Sequence, residues 1–275
     1  MGNLWKGFKE HRTFRFTSLL VILLIALVVL APVIAPYNPL EAVMKDANQA
    51  PSMAHLFGTD KLGRDVLSRI LYGGAYSLSS VLALVAIIFC VGTFLGLVAG
   101  YFGGLIDTVI MRIADMMISF PGVILAIAIA GIMGGSLVNA MIALTAVTWT
   151  KYARLSRSMV LKIRKRDFVD AAIVSGGTSS HILWTHIMPN VVPILVITAV
   201  SDIGAMMMEL AGLSLLGFGS QPPAPEWGLM LNEGRQQLQT APWLMVFPGL
   251  AIFISVVIFN LWGDALRDVL DPRDQ

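Results

Sequence analysis

Two carboxylates, Asp202 and Glu209, stand seven positions apart in an otherwise apolar stretch. Ionisable groups in such surroundings are costly and mark ion paths, proton relays or partner contacts. Seven residues are about two helical turns, so both acids fall on one helix face about 10 Å apart. That face is expected to line a translocation path for a cationic or amine-bearing substrate, or to bond a neighbouring helix. Met206, Met207 and Met208 lie between the acids, and thioethers suit soft metals. Consecutive residues point in different directions on a helix, however, so they are read as packing groups. His55, His181 and His186 occur in polar intervals at unrelated spacings and are read as surface residues. Arg112 is expected to pair with Asp115 near Asp107. No nucleophile–base arrangement and no metal-ligand spacing occurs, so neither a catalytic residue nor a metal site is expected. The lone Cys90 reads as an apolar filler.

The elements that must hold these groups are helices in a bilayer. Apolar residues make up 56% of the 275 and charged residues 13%, about half the soluble average of ~25%. A net charge of +2 offers no basic face for nucleic acid. A bilayer core needs about 20 apolar residues per helix. Six runs qualify: Thr17–Pro36, Ser77–Ala99, Leu105–Met133, Leu137–Trp149, Val191–Leu213 and Trp243–Asp264. The expected fold class is therefore an all-α membrane protein with six transmembrane helices. The first run is longer than the ~7–15 residues of a secretory signal core and is expected to stay as a helix. The third should kink at Pro121. The fourth should extend past Lys151, with basic side chains reaching the interface.

Charge orients the bundle. With the N-terminus inside, cytoplasmic segments hold Lys6, Lys9, Arg12, Arg15, Arg112, Lys151, Arg154, Arg157, Lys162, Arg164, Lys165, Arg166, Arg267 and Arg273. The opposite side keeps Lys45, Lys61, Arg64, Arg69 and Arg235, interleaved with acids. This positive-inside bias places both termini in the cytoplasm and the chain in the inner (cytoplasmic) membrane. Two outer loops follow, at about 37–74 and 214–242. The first is expected to hold a short interfacial helix over Arg64–Leu71, and the second a rigid segment at Pro222-Pro223-Ala224-Pro225.

The cytoplasmic loop 151–189 is the most specific stretch. Asp170-Ala171-Ala172, Gly176 and Met188-Pro189 resemble the EAA loop of ABC-importer permeases, with Asp170 in the glutamate position, His186 in the isoleucine position and Met188 for leucine. Small Ala171 and Ala172 suit close approach to a partner. Gly176 permits a turn, and Pro189 can end one segment and begin the next span. No G-x-x-x-x-G-K-[ST] phosphate loop occurs, so ATP chemistry belongs to another chain and this chain is not itself an enzyme.

The likeness extends over most of the chain. Gly58-Thr59-Asp60, Gly63-Arg64-Asp65, Arg112-Ile113-Ala114-Asp115, Leu215-Leu216-Gly217-Phe218-Gly219, Pro222–Gly228, Phe247–Ala251, Phe259-Asn260-Leu261, Gly263–Asp268 and Leu270-Asp271-Pro272 are similar to the C-type permease of dipeptide, oligopeptide and nickel ABC importers. Asp202-Ile203-Gly204, Met206-Met207 and Ala211-Gly212 look closer to its nickel-type members. The resemblance implies the type I importer architecture. Its implied partners are a related B-type permease in a heterodimer, two ATP-binding subunits carrying ATP and Mg, and an extracytoplasmic substrate-binding protein received by the outer loops. Asp170, Ala171, Ala172, Gly176 and Pro189 would couple to the ATPases, and the substrate would be a short peptide or a nickel or other metal chelate. The expected organisation is a cytoplasmic segment 1–16, a first helix with outer loop 17–76, a permease core 77–264 and a cytoplasmic tail 265–275. The competing reading is an ion-coupled secondary transporter that uses Asp202 and Glu209; such carriers often show paired broken helices in repeats, which this sequence does not.

Overall fold

The computed structural model describes residues 11–270. Lys6, Lys9, Arg273 and the Asp271-Pro272 end of the C-terminal motif, all assigned to the cytoplasm above, lie outside the described residues. Among the described residues the fold is helical, with one isolated β-bridge between Thr59 and Asp65.

The helices of eight or more residues are α1 (Arg12–Val29), α2 (Val66–Phe102), α3 (Gly104–Ile118), α4 (Gly122–Met133), α5 (Leu137–Ile163), α6 (Asp167–Val174), α7 (Ser179–Leu215), α8 (Trp227–Arg235) and α9 (Trp243–Leu270), with short turns of helix at Ala31–Ile34 and Met44–Asp46. Four of them, α1, α2, α7 and α9, are each long and apolar enough to cross a bilayer. The pair α3 and α4 makes a fifth crossing if taken as one broken span. Helix α5, with 27 residues, is long enough for a sixth, although its second half carries Lys151, Arg154, Arg157 and Lys162. The sequence thus marks the right segments, and the structure changes several of their shapes.

The expected interfacial helix over Arg64–Leu71 is not separate. Helix starts at Val66 and runs unbroken for 37 residues, about 55 Å at 1.5 Å per residue. Nothing in Leu71–Ser77 breaks it, because Gly73 and Gly74 are held by neighbours rather than by a turn: a Cβ on Gly73 would lie 2.0 Å from the Pro225 carbonyl oxygen. At Pro121 the expected kink is a full break. Axes of α3 and α4 differ by 93°, since proline lacks the N–H and drives the preceding Phe120 out of helix. Helix α5 continues past Lys151 to Ile163 as expected, but two of its arginines are ion-paired rather than snorkelling, as described below. Helix α8, inside the expected loop at 214–242, was not foreseen.

The chain forms two compact units, one from segments ending at Ala83, Ile129–Ile142 and from Val200 onward, the other from Leu84–Ala128 and Ala143–Ala199. In the second, the C-terminal half of α2 presents Gly92, Gly96 and Gly100 to α5. Added Cβ atoms there would sit 2.5 Å from the Trp149 carbonyl oxygen, 2.3 Å from that of Ala153 and 2.8 Å from the Val160 Cβ. Small residues every fourth position let membrane helices approach backbone to backbone, where dispersion replaces the missing hydrophobic drive. Below this contact Leu97, Tyr101, Val160, Val169, Ile187 and Leu195 form a buried core. In the first unit α7 and α9 are equally close: Gly204 faces the Asn260 side chain and Gly263 faces Ser201. Phe14 of α1 packs on Ala265, Leu266 and Val269 of α9, and the Trp262 Nε1–H donates to Ser18 Oγ at 3.1 Å.

Candidate coupling elbow, pathway face and outer clamp

The elbow starts at Arg166, whose extended backbone precedes α6. Asp167 and Asp170 occupy the first turn of that helix, where negative charge complements the free N–H groups. Val169 is fully buried against Ile182, Leu183 and Ile187. The two alanines have different roles: Ala172 packs on this core, while Ala171 faces outward with Asp170. Helix α6 stops at Val174, and Gly176 takes φ +82° to reverse the chain. No atom lies within 4 Å of a Cβ built there, so conformation and not space demands glycine. Thr178 Oγ1 then accepts from the His181 N–H at 3.3 Å to start α7. Phe168, Ile173 and Trp184 remain exposed around the turn, and Val174 is 89% exposed.

Pro189 does not end a segment. Helix continues from Ser179 to Leu215, with π-helical turns at Ile182–Ile187 just before the proline. Those wider turns take up the missing N–H and the ring's clash with the preceding turn without stopping the helix. They also bring together two histidines read as unrelated. His181 and His186 are five apart, the π repeat, and their rings meet edge to face with centroids 5.7 Å apart. Among the described residues no group of three or more histidine, cysteine or acidic side chains could hold a metal ion.

On the next length of α7, Asp202 and Glu209 are both partly exposed, with Ala205 and Met208 exposed between them. One face therefore carries the two acids, as their spacing requires, and each is engaged by interactions within the chain. The three methionines diverge: Met206 and Met207 are buried, and Met208 points out.

The expected Arg112–Asp115 pair is replaced by two bridges to α5. Asp115 receives Arg154, and Asp107 receives Arg157 through both Nε and Nη2, the latter at 2.6 Å. The forked guanidinium suits that carboxylate better than a same-helix partner does. Arg112 is exposed and makes no ion pair among the described residues.

Sequence reasoning passed over a group of deeply buried charges among the described residues. Asp60, Arg64, Arg69 and Glu233 form a closed cluster between the loop at 37–65 and α8. Asp60 Oδ2 accepts from Arg64 Nε and from Arg69 Nη1, each at 2.6 Å, and its Oδ1 accepts the Leu62 and Arg64 backbone N–H groups. Glu233, on α8, accepts from Arg64 Nη2 at 3.2 Å and lies 2.8 Å from Arg69 Nη2. Two cations and two anions make the cluster neutral. Beside it Asp65 accepts the Ser68 N–H and hydroxyl and meets His55 Nδ1 at 2.9 Å, so His55 is a nearly buried loop strut and not a surface residue. Glu226 caps α8 by accepting from the Gly228 and Leu229 N–H groups, and the Trp227 indole N–H donates to the Ile70 carbonyl. Phe57 stacks on Phe247, with centroids 4.1 Å apart. These contacts tie the loop at 37–65, α8, the N-terminal end of α2 and the N-terminal end of α9 together. The signals were weak in sequence, since acids and bases alternate there like a solvated loop and glutamate is an unusual N-cap.

Residues 92–273 match the family model described as the binding-protein-dependent transport system inner membrane component, and residues 1–51 match that of the N-terminal TM domain of oligopeptide transport permease C. The chain belongs to this permease family. Its relatives include a glutathione transport system permease protein of Pectobacterium atrosepticum, 42% identical over 98% of this chain and 90% of that protein. A dipeptide transport system permease protein of Alkalihalophilus pseudofirmus is 40% identical over 98% and 88%. A nickel transport system permease protein of Escherichia coli is 42% identical over 93% of each. Among solved structures, an inward-facing methionine ABC transporter matches with a TM-score of 0.59 and 18% identity, over 74% of this permease and 98% of that chain. The permease is thus an all-α, multi-pass inner-membrane transport component with the ABC-importer permease fold.

Proposed function

We propose that this permease forms half of the translocation pathway of an ATP-driven importer, paired with a related B-type permease and moved by two separate ATP-binding subunits that hold ATP and Mg. The observation that carries the coupling is the α6–Gly176–α7 elbow. It buries Val169 and Ala172 on its own core while leaving Phe168, Ile173, Val174 and Trp184 exposed outside the apolar part of the chain. A monomer gains nothing from presenting four large apolar side chains to water, whereas a cleft in a motor subunit would bury them. Asp170 and Ala171 lie on the outward side of α6, Ala172 holds the helix to its core, Gly176 fixes the turn, and Pro189 sits in the helix that carries movement onward.

Both termini lie in the cytoplasm in this reading, which makes 1–16 and 265–275 cytoplasmic, 17–76 the first helix with its outer loop, and 77–264 the core containing the coupling loop 151–189. The outer loops receive an extracytoplasmic binding protein. Asp202 and Glu209 face the path and meet a substrate bearing an amine or a metal: a short peptide, as the relatives named for glutathione and dipeptides suggest, or a nickel chelate. Uptake in vesicles reconstituted with the partner subunits tests this. ATP-dependent accumulation is expected, lost when Val174 is replaced by aspartate while the pathway residues are intact. Accumulation that ignores ATP and follows a proton gradient would instead support an ion-coupled carrier using Asp202 and Glu209.

A further inference from the structure

Along one side of α1 the structure has two adjoining hollows of opposite character. The first is an apolar crevice of about 280 Å3 between α1 and α9, walled by Leu20, Leu24, Leu27, Ile254 and Ile258 with Trp227 behind. The second is a groove of about 570 Å3 at the outer-loop end of the same helix, lined by Pro32, Asn38, Tyr37, Tyr72 and Tyr76 together with Pro225. Leu20, Leu24 and Val28 share one side of α1, and Pro32, in the short helical turn Ala31–Ile34 that follows it, continues that spacing into the second hollow. Val28, packed against Gly74 of α2, stands between them. No residue lining either hollow is charged.

We infer that these two hollows together seat one zwitterionic phospholipid of the leaflet at the outer-loop end of α1, one of its two acyl chains in the leucine–isoleucine crevice and its headgroup among the tyrosines. An apolar slot followed, two to four residues further along the same three segments (Val28 to Pro32, Ile70 to Tyr72, Trp227 to Pro225), by a polar, aromatic groove has the polarity order of a lipid molecule. Tyrosine rings favour the headgroup level, where one end is apolar and the other wet. An anionic headgroup finds no cation there, whereas the Tyr72 and Tyr76 hydroxyls and the Asn38 amide N–H can donate to a phosphate, and the Tyr37 oxygen, whose own proton goes to the Ala54 carbonyl, can accept from an ammonium. A small hydrophilic solute would leave the apolar half unused. The site is independent of how transport is powered, so it stands or falls separately from the importer reading.

The test is native mass spectrometry of the assembled permease complex purified in mild detergent from membranes containing phosphatidylethanolamine and phosphatidylglycerol. One phosphatidylethanolamine retained per copy of this chain is expected. Leu24→Trp, which fills the crevice, lowers that occupancy about tenfold, the equivalent of a lost pair of buried methylenes. Ile22→Trp, on the opposite, exposed side of α1, leaves it unchanged. If Leu24→Trp does not assemble, Ile254→Trp fills the same crevice from α9. Retention that is equal in wild type and both filling variants, equal retention of phosphatidylglycerol, or no retained lipid at all overturns the proposal. So does a disulfide cross-link from Leu23→Cys to the partner permease, which would mean that protein covers the crevice.

Discussion

Replacing Asp60 by asparagine removes one charge from the outer clamp and almost nothing else. The Asn carbonyl can still accept the Leu62 and Arg64 N–H groups that Asp60 Oδ1 accepts now. The other position, which draws Arg64 Nε and Arg69 Nη1 to 2.6 Å, becomes an NH2 group facing two guanidiniums. Arg64 and Arg69 have side chains only 3% and 2% exposed, so neither can turn to water, and Glu233 is left to balance both. Breaking a buried pair by removing one partner costs about 3–5 kcal/mol. At about 2–4 °C per kcal/mol for chains of this size class, the unfolding midpoint should fall by roughly 6–20 °C. The assay is loss of monodisperse complex on heating in detergent, followed by size exclusion. Adding Arg69→Met removes the stranded cation and should restore more than half of the loss, a coupling of at least about 1.5 kcal/mol. A midpoint within about 2 °C of wild type for Asp60→Asn, or strict additivity in the double variant, would refute the account of the clamp as a closed neutral unit.

Three other outcomes follow from the geometry. Gly176→Val forces a β-branched residue into φ +82°, at a cost of about 1–2 kcal/mol or more; transport should drop while ATP hydrolysis by the motor subunits persists, measured together in the same vesicles. Asp107→Arg should abolish accumulation of assembled complex, and Asp107→Arg with Arg157→Asp should recover it, because the fork between them joins α3 to α5; membrane abundance by immunoblot decides. Asp202→Ala and Glu209→Ala should each slow uptake at least about tenfold, or about 1.4 kcal/mol of barrier, with the complex intact; wild-type rates for both would remove them from the path.

Legibility followed the range of the interaction. Apolar runs, Pro121 and the seven-residue spacing of Asp202 and Glu209 are local facts, and the helices appear where those facts put them. What escaped depends on partners distant in the chain. Arg64 and Glu233 are 169 positions apart, and nothing near either residue announces the other. Asp115 chose Arg154, 39 residues away, over Arg112 three residues away, since a facing helix offers its carboxylate a straighter approach than its own helix does. Pro189 misled for a different reason. Proline usually marks a boundary, but the π turns at Ile182–Ile187 absorb it, and no residue in Ile-Leu-Trp-Thr-His-Ile signals them. At the coupling elbow the turn was readable from Gly176, while the division between inward Ala172 and outward Ala171 needed the core formed by Val169 and Ile187.

The contact between α2 and α5 also limits how this protein can change over time. At Gly92 and Gly96 the nearest obstacles to a new side chain are the carbonyl oxygens of Trp149 and Ala153, which every amino acid carries. No second mutation on α5 can make room there, so those two glycines have no compensating partner, and each is fixed for as long as the helix pair keeps its spacing. At Gly100 the nearest obstacle is the Val160 Cβ at 2.8 Å, which a glycine at 160 would remove, although the Arg157 carbonyl oxygen at 3.0 Å would still have to give way slightly. Drift along this seam is therefore closed at two sites and only narrowly open at the third.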